Sequence, residues 1–365
     1  MTAGIPITIA LDAMGGDKAP ESVVHGARLA LKFFPDLQFV FYGDEARITP
    51  LVARHKLAAC ARVIHTESAI AMHEKPAIAI RQGRRSSMRL AIDAVARGEA
   101  QAVVSAGNTG ALMATAKIVL KTLPGIFRPA ITATIPAQQR SVVLLDMGAN
   151  IDCTADYLVQ FALMGDAYAR AVLGVARPKI GLLNVGSEDM KGHDEVKEAN
   201  RQLKTGNFPI DYHGFVEGHD IMEGTTDVVV TDGFTGNIAL KTAEGASRLI
   251  YNAVKNAIEN SFSAKLGYLL ARPAIKMAMR KFDPRKHNGA ILLGLNGIVV
   301  KSHGSADAKS FANAVKVAAT LVQNTVNEKI LDELSRSATA PASAVTGEDV
   351  TVLESLTTIS ISTVR

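Results

Sequence analysis

A chain of 365 residues that is 48% hydrophobic can bury a large core, which excludes disorder as the default and leaves room for one large α/β domain or two smaller ones. A formal charge of +5 eases the approach of acidic partners but is too small a surplus to mark a nucleic-acid binder, and a chain without Trp has little with which to build a base-stacking platform. Its two cysteines, Cys60 and Cys153, form neither a CxxC pair nor a zinc-ligand spacing, as expected of free thiols in a reducing cytosol.

The N-terminus enters a β-like run at Ile5 to Met14 without the basic segment, apolar stretch and small-residue cleavage site of an export signal. No stretch of about 18 apolar residues lacks charge or Pro, so no membrane span is expected, while association with a membrane surface stays open.

Short runs rich in Val, Ile and Leu predict strands at Thr8–Leu11, Gln38–Tyr42, Arg62–His65, Ala102–Ser105, Ala130–Ile135, Val142–Asp146, Ile180–Asn184 and Val228–Thr231, with a further pair at Ile291–Leu295 and Gly297–Lys301. Helix periodicity falls between them at Glu21–Phe33, Thr109–Lys121, Ala155–Leu173, Asp194–Lys204, Asn237–Glu259 and Asp307–Leu334. This alternation predicts an α/β fold with a parallel or mixed sheet covered on both faces and function in the loops beyond the strand ends. We expect residues 1–334 to form the folded domain, and the Ser/Thr/Ala-rich residues 335–365 a flexible tail.

Glycine-rich polar loops follow the predicted strands. Asp12-Ala-Met-Gly15-Gly16-Asp17 offers backbone N–H groups to an anion, or is a plain strand-to-helix turn. Ser105-Ala-Gly107-Asn108-Thr-Gly110 feeds a helix whose N-terminal amides suit phosphate, with Asn108 or Thr109 alternatively a simple N-cap. Asp146-Met-Gly-Ala-Asn150-Ile-Asp152 and Asn184-Val-Gly-Ser-Glu188-Asp-Met-Lys191-Gly192 repeat the pattern; Lys191 either makes a salt bridge or points into an anion site. Asp232-Gly-Phe-Thr-Gly-Asn237 and Lys301-Ser-His303-Gly-Ser-Ala-Asp307 precede helices, with Asp232 an orderer of its loop, Asn237 and Asp307 alternatively N-caps and His303 alternatively structural. A doubly wound sheet would gather such loops at one edge.

Missing from the sequence are a GxxxxGK[ST] loop, a GxSxG elbow, an HExxH pair and a complete GxGxxG fingerprint, which weakens ATPase, serine-hydrolase, zinc-protease and dinucleotide readings. No metal constellation is evident around His213 and His219, and no cofactor is expected. Around Pro273, the cations Lys265, Arg272, Lys276, Arg280 and Lys281 stand amid large apolar side chains, predicting an amphipathic helical hairpin at about 250–286 that Pro273 divides. Such a hairpin suits dimer packing, an anionic bilayer or an acidic carrier.

Taken together, ALDAMGGDKAP, SAGNTGALM, DMGANID, NVGSEDMKG, TDGFTGN and KSHGSADA, with KPAIAIRQGRRSSM at Lys75–Met88, closely resemble the phosphate acyltransferase family that supplies acyl phosphate for bacterial phospholipid synthesis, over roughly residues 5–334. The resemblance implies a three-layer α/β/α fold with a mostly parallel sheet, similar to isocitrate and isopropylmalate dehydrogenases and phosphotransacetylases. It also implies a cytosolic homodimer that visits the membrane, takes acyl carrier protein and inorganic phosphate, and feeds a glycerol-3-phosphate acyltransferase. His73-Glu74 departs from the Asp that such proteins often carry before the Lys-Pro pair, and the tail is longer than in many members.

Because phosphate is already substantially dianionic near neutral pH, its attack on a thioester needs no catalytic triad, only placement and charge stabilisation. Lys191 is the first choice for charge stabilisation and Asn237 for orientation, with Lys301 and His303 as helpers. Asp12, Gly15, Gly16, Asp17, Ser105, Gly107, Asn108 and Asp232 are expected to shape the substrate site, and Lys265, Arg272, Lys276 and Arg280 to meet carrier or membrane. Rival readings are a phosphotransacylase using coenzyme A thioesters, a decarboxylating hydroxy-acid dehydrogenase, and a non-catalytic scaffold that binds carrier protein at the membrane.

Overall fold

The computed structural model describes residues 6–279, 283 and 286–339. In chain order the elements are β1 (Thr8–Asp12), α1 (Glu21–Ala30), β2 (Gln38–Gly43), α2 (Glu45–Arg54), β3 (Ala61–His65), α3 (Pro76–Gln82), α4 (Ser87–Ala96), β4 (Ala102–Ser105), α5 (Thr109–Leu120), β5 (Ala130–Pro136) and β6 (Ser141–Leu145). They continue with α6 (Ala155–Leu173), β7 (Lys179–Leu183), α7 (Asp194–Thr205), β8 (Asp211–Val216), α8 (Gly218–Glu223), β9 (Val228–Val230), α9 (Gly233–Glu259), α10 (Phe262–Met279), β10 (Ala290–Leu293), β11 (Ile298–Lys301), α11 (Ala308–Gln323) and α12 (Val326–Thr339).

These strands form one sheet in the order β3-β2-β1-β4-β11-β10-β5-β6-β9-β7-β8. Side chains alternate across it: Ile9 and Leu11 of β1 join the core under α1, α2, α6, α7, α11 and α12, while Ala10 joins the core under α3, α4, α5 and α9. Strands buried on both faces need apolar side chains at every position, which is why β9 reads Val-Val-Val. The result is a three-layer α/β/α sandwich with a largely parallel sheet.

Strand direction reverses within the sheet. β3, β2, β1, β4 and β11 are mutually parallel; β10 is antiparallel to both β11 and β5, and β5 is antiparallel to β6. It follows that β6, β9, β7 and β8, parallel among themselves, run opposite to the first group. The reversal comes from the tight turn between β5 and β6, closed by Ala137 N–H donating to Arg140 O at 2.9 Å.

Several elements differ from their sequence-based outline, and α2, α3, α4 and α8 lie outside the helices outlined there. The helix expected over 307–334 is two helices, because Thr325 takes φ 48° just after the C-cap Asn324, whose side-chain amide donates to Ala171 O at 2.6 Å. The second helix runs on to Thr339, and the tail expected beyond it lies outside the described residues. Pro273 sits inside α10 rather than dividing two helices. The hairpin turns instead at Asn260–Ser261, where the Ser261 hydroxyl accepts from Ala264 N–H at 3.3 Å and starts the new helix. Strand β8 had no alternating signal, since His213-Gly214 interrupts it where its register with β7 shifts.

Candidate functional site

Asp12 ends β1 and is 1% exposed. One carboxylate oxygen accepts the Ser87 hydroxyl and the other the Ser105 hydroxyl, both at 2.6 Å. Burial pushes its pKa up, and the two hydroxyls pull it back. Gly15 lies so close that a Cβ there would strike the Asp12 carboxylate and stand 2.7 Å from the Gly107 nitrogen. Gly16, at φ +101°, takes a conformation that side chains resist. Asp17 N–H donates to Gly304 O at 2.9 Å, and Ser302 N–H to Ser105 O at 2.8 Å. The loops after β1, β4 and β11 therefore meet in one place.

Lys301 ends β11 within this cluster, its ammonium donating to Ala106 O at 3.5 Å and to Ser302 O. Burial drives its pKa down to about 8; Asp12 and Asp17 oppose the fall and Lys241 of α9 adds to it. His303 is exposed, with Nδ1 2.9 Å from the Ser305 hydroxyl and 3.2 Å from the Ser305 nitrogen. The Ser305 amide can only donate, so Nδ1 accepts from it.

Asn108 has a structural post. Its Oδ1 caps α5 by accepting from Ala111 N–H at 3.0 Å, and its amide donates to Met72 O and Glu74 O at 2.8 and 2.9 Å. It thus ties the segment holding His73-Glu74 to the mouth of the cluster.

A second group forms around Asp146, which is fully buried just past β6. Its carboxylate accepts from the backbone N–H groups of Ile131, Gly148, Ala149 and Asn150 and from the Asn150 amide. That network moulds the 146–150 turn. Gly233 N–H donates to Asn150 O at 2.7 Å, and the Gly236 backbone lies against Asp146 O with no room for a Cβ. Asp232 caps α9 with one oxygen on Thr235 N–H and the other on the Thr235 hydroxyl, both at 2.8 Å. Asn237 is exposed on the next turn, its Cβ 3.6 Å from where a Cβ on Gly148 would stand.

Lys191 lies in the loop after β7, half exposed and 3.6 Å from Glu188. The Asn184 amide donates to Lys191 O at 3.0 Å, shaping the loop without fixing the ammonium. Since β6, β9 and β7 run opposite to β1, β4 and β11, the loops bearing Asp146, Asp232 and Lys191 leave the opposite sheet edge from those bearing Asp12, Ser105 and Lys301. One edge does not gather all of them; helix α9 starts within the Asp146 group. Lys265 and Arg272 are exposed on α10, while the Lys276 side chain and Arg280 lie outside the described residues. His219, Asp220 and Glu223 approach one another, but the Asp220 oxygens already accept from Thr225 and Glu217.

Sequence reading missed Ser87, whose partner Asp12 lies 75 residues away along the chain, and treated Asp146 only as part of a glycine loop. Chemically, the first group presents glycine-lined backbone, buried hydroxyls and a lysine whose charge is poised near neutral pH, a setting suited to an oxyanion. Among the described residues no helix is long and apolar enough to cross a membrane.

The profile of a family described as fatty acid synthesis protein matches residues 7–329. The phosphate acyltransferase of Paramagnetospirillum magneticum is 54% identical over 331 residues, covering 90% of this chain and 94% of the relative. That of Rhodospirillum centenum is 56% identical over 329 residues, covering 90% and 93%. Among solved structures, a phosphotransacetylase from Streptococcus pyogenes has a TM-score of 0.58 at 21% identity, covering 88% of this chain and 95% of its own. A branched-chain phosphotransacylase from Enterococcus faecalis V583 has 0.54 at 16%, covering 87% and 99%. At these identities the likeness is one of fold.

Proposed function

The chain belongs to the fatty acid synthesis protein family, alongside the phosphate acyltransferases, and from that membership we propose that it transfers a fatty acyl group from acyl carrier protein to inorganic phosphate. Acyl transfer to phosphate follows from the family; the carrier-bound donor is the finer part of the reading. The observation that carries it is the meeting of the Gly15–Gly16, Ser105–Gly107 and Lys301 loops around one buried acid.

In this reading a phosphate oxygen attacks the thioester carbonyl carbon, a C–O bond forms, and the carbonyl oxygen takes the negative charge. Collapse breaks the C–S bond, releasing acyl phosphate and a thiolate that takes a proton from water. Lys301 in its charged form and the backbone N–H groups of the glycine loops hold phosphate. Asp12, through Ser87 and Ser105, keeps the loops in register, and His303 stands at the rim. Asn237 orients the donor, and Lys191 serves from its mobile stem when the substrate bridges the two groups.

The same membership supports a homodimer and kinship with isocitrate and isopropylmalate dehydrogenases. The hairpin of α9 and α10 exposes Leu249, Leu266, Leu269 and Leu270, a surface for a second copy, while Lys265, Arg272, Lys276 and Arg280 suit an acidic carrier or an anionic membrane in the cytoplasm. A glycerol-3-phosphate acyltransferase would take the product onward. Reversing charge at Arg272, Lys276 and Arg280 should weaken carrier docking or vesicle binding; unchanged binding in both assays leaves the hairpin to dimer packing alone.

Donor choice is tested by phosphate-dependent thiol release from matched acyl thioesters. The carrier-bound donor should exceed the coenzyme A donor at least about tenfold in kcat/KM. Equal or reversed preference replaces this reading with a coenzyme A phosphotransacylase.

A further inference from the structure

We infer that the chain carries a second ligand site, for a medium-chain fatty acid anion, in a cavity between α6 and α11 on the sheet face opposite Lys301. Such a site goes beyond acyl transfer to phosphate, and its occupancy is measurable without that reaction.

Strand register gives its position. Thr134 lies between Ala133 and Ile135, which join the core under α3, α4, α5 and α9, so Thr134 faces the α6 and α11 side instead. By the same alternation Lys301, two residues beyond Val299, faces the α5 and α9 side. Ala290 pairs with Lys301 and Ile291 with Thr132, which puts Gly289 and Thr134 at the sheet edge that Lys301 occupies. There a cavity of about 240 Å³ opens, bounded by Gly289 and Thr134 below and by α6 and α11 at its sides.

The walls select the ligand. Tyr168, Val172, Leu173 and Val317 supply apolar surface, Lys286 and Lys316 supply two exposed cations, and no Asp or Glu lines the cavity. Lys316 makes no ion pair among the described residues; its ammonium lies 5.2 Å from the Phe33 ring centroid, a contact it can trade for an anion. At the ~30 Å³ that a molecule takes in liquid water, the space fits about eight heavy atoms, the length of a medium acyl chain. Apolar tail and anionic head are thus both matched. The competing account is a water-filled gap between two diverging helices. Asn313 of the lining donates to Asn288 O at 2.9 Å, and Asn288 donates to the Ser302 hydroxyl and accepts from His303 N–H, each at 2.8 Å. One residue therefore links the cavity to the loop that follows Lys301.

Octanoate binding is measured by calorimetry on the full chain as wild type, Lys316→Glu, Lys316→Arg and Val317→Phe, with octanol as the uncharged probe. The wild type should bind octanoate with a submillimolar Kd and octanol at least about tenfold more weakly, the size of one charge-assisted contact. Lys316→Glu should weaken octanoate about tenfold, Lys316→Arg should keep most of the affinity, and Val317→Phe, which fills the cavity, should lose it. Excess inorganic phosphate should change the octanoate Kd by a factor of about two at most, because linked sites saturate. A Kd that climbs in proportion to phosphate places octanoate at Lys301 instead and overturns the inference. So do wild-type affinity in both Lys316→Glu and Val317→Phe, equal binding of octanol, and no octanoate binding at millimolar concentration. A chain that binds octanoate as expected yet transfers no acyl group would sink the acyltransferase reading while leaving this site standing.

Discussion

Lys301 reaches its post because β11 lies beside β4, and that pairing places its ammonium over the Ala106 carbonyl. Its pKa is lowered, to about 8, so the charged form is complete well below that pH and lost as pH rises through it. Turnover should fall along an alkaline limb near pH 8, and in Lys301→Met it should drop on the order of 10²-fold with the limb abolished. The glycines separate by what a methyl group would meet. In Gly107→Ala the new Cβ would lie 2.7 Å from the flexible end of Met88, so the fold should survive while activity falls. In Gly233→Ala it would lie 2.6 Å from the Asn150 carbonyl oxygen, a backbone atom that cannot step aside; a loss of about 2 kcal/mol or more should appear in denaturant melts. Glycine placement was legible in the sequence because each such residue follows a strand. The partners of Asp12 were not, since Ser87 and Ser105 lie 75 and 93 residues away.

At the scale of elements, the runs of Val, Ile and Leu located β1, β4 and β9 because strands buried on both faces leave no alternation to misread. The helix over 307–334 looked continuous because Asn324-Thr325 carries no Pro or Gly to announce a break. At Pro273 the opposite happened: a strong breaker sits inside a helix, while the quieter Asn260-Ser261 pair makes the turn. Asn108 was open to two readings, and its cap role is realised with an additional grip on Met72 O and Glu74 O. Asn108→Ala should therefore cost about 2 kcal/mol in thermal or denaturant unfolding, a cap plus bonds to two carbonyls. Asn108→Asp keeps the cap but gives up the amide donors, so it should recover stability only in part.

For the whole molecule, the expectation of one shared edge failed at a single turn. Residues 136–141 read Pro-Ala-Gln-Gln-Arg-Ser, with no Asn-Gly or Asp-Gly signal for a hairpin, yet β5 and β6 pair antiparallel across them and reverse every later strand of that half. The layered architecture survives the reversal, but the loops divide into two groups. The projecting hairpin continues α9 and offers large exposed leucines. In the homodimer proposed above, replacing Leu266 and Leu270 together by Glu should yield monomers by light scattering, whereas an unchanged mass would detach the hairpin from assembly.

Phosphorus NMR on the wild type and on Lys301→Met, supplied with acyl carrier thioester and inorganic phosphate at pH 7, reaches the chemistry itself. The wild type should build an acyl phosphate resonance in step with released thiol, and the variant should build it at least about a hundredfold more slowly. Thiol released without acyl phosphate, or a variant as fast as the wild type, would contradict an oxyanion site built around Lys301.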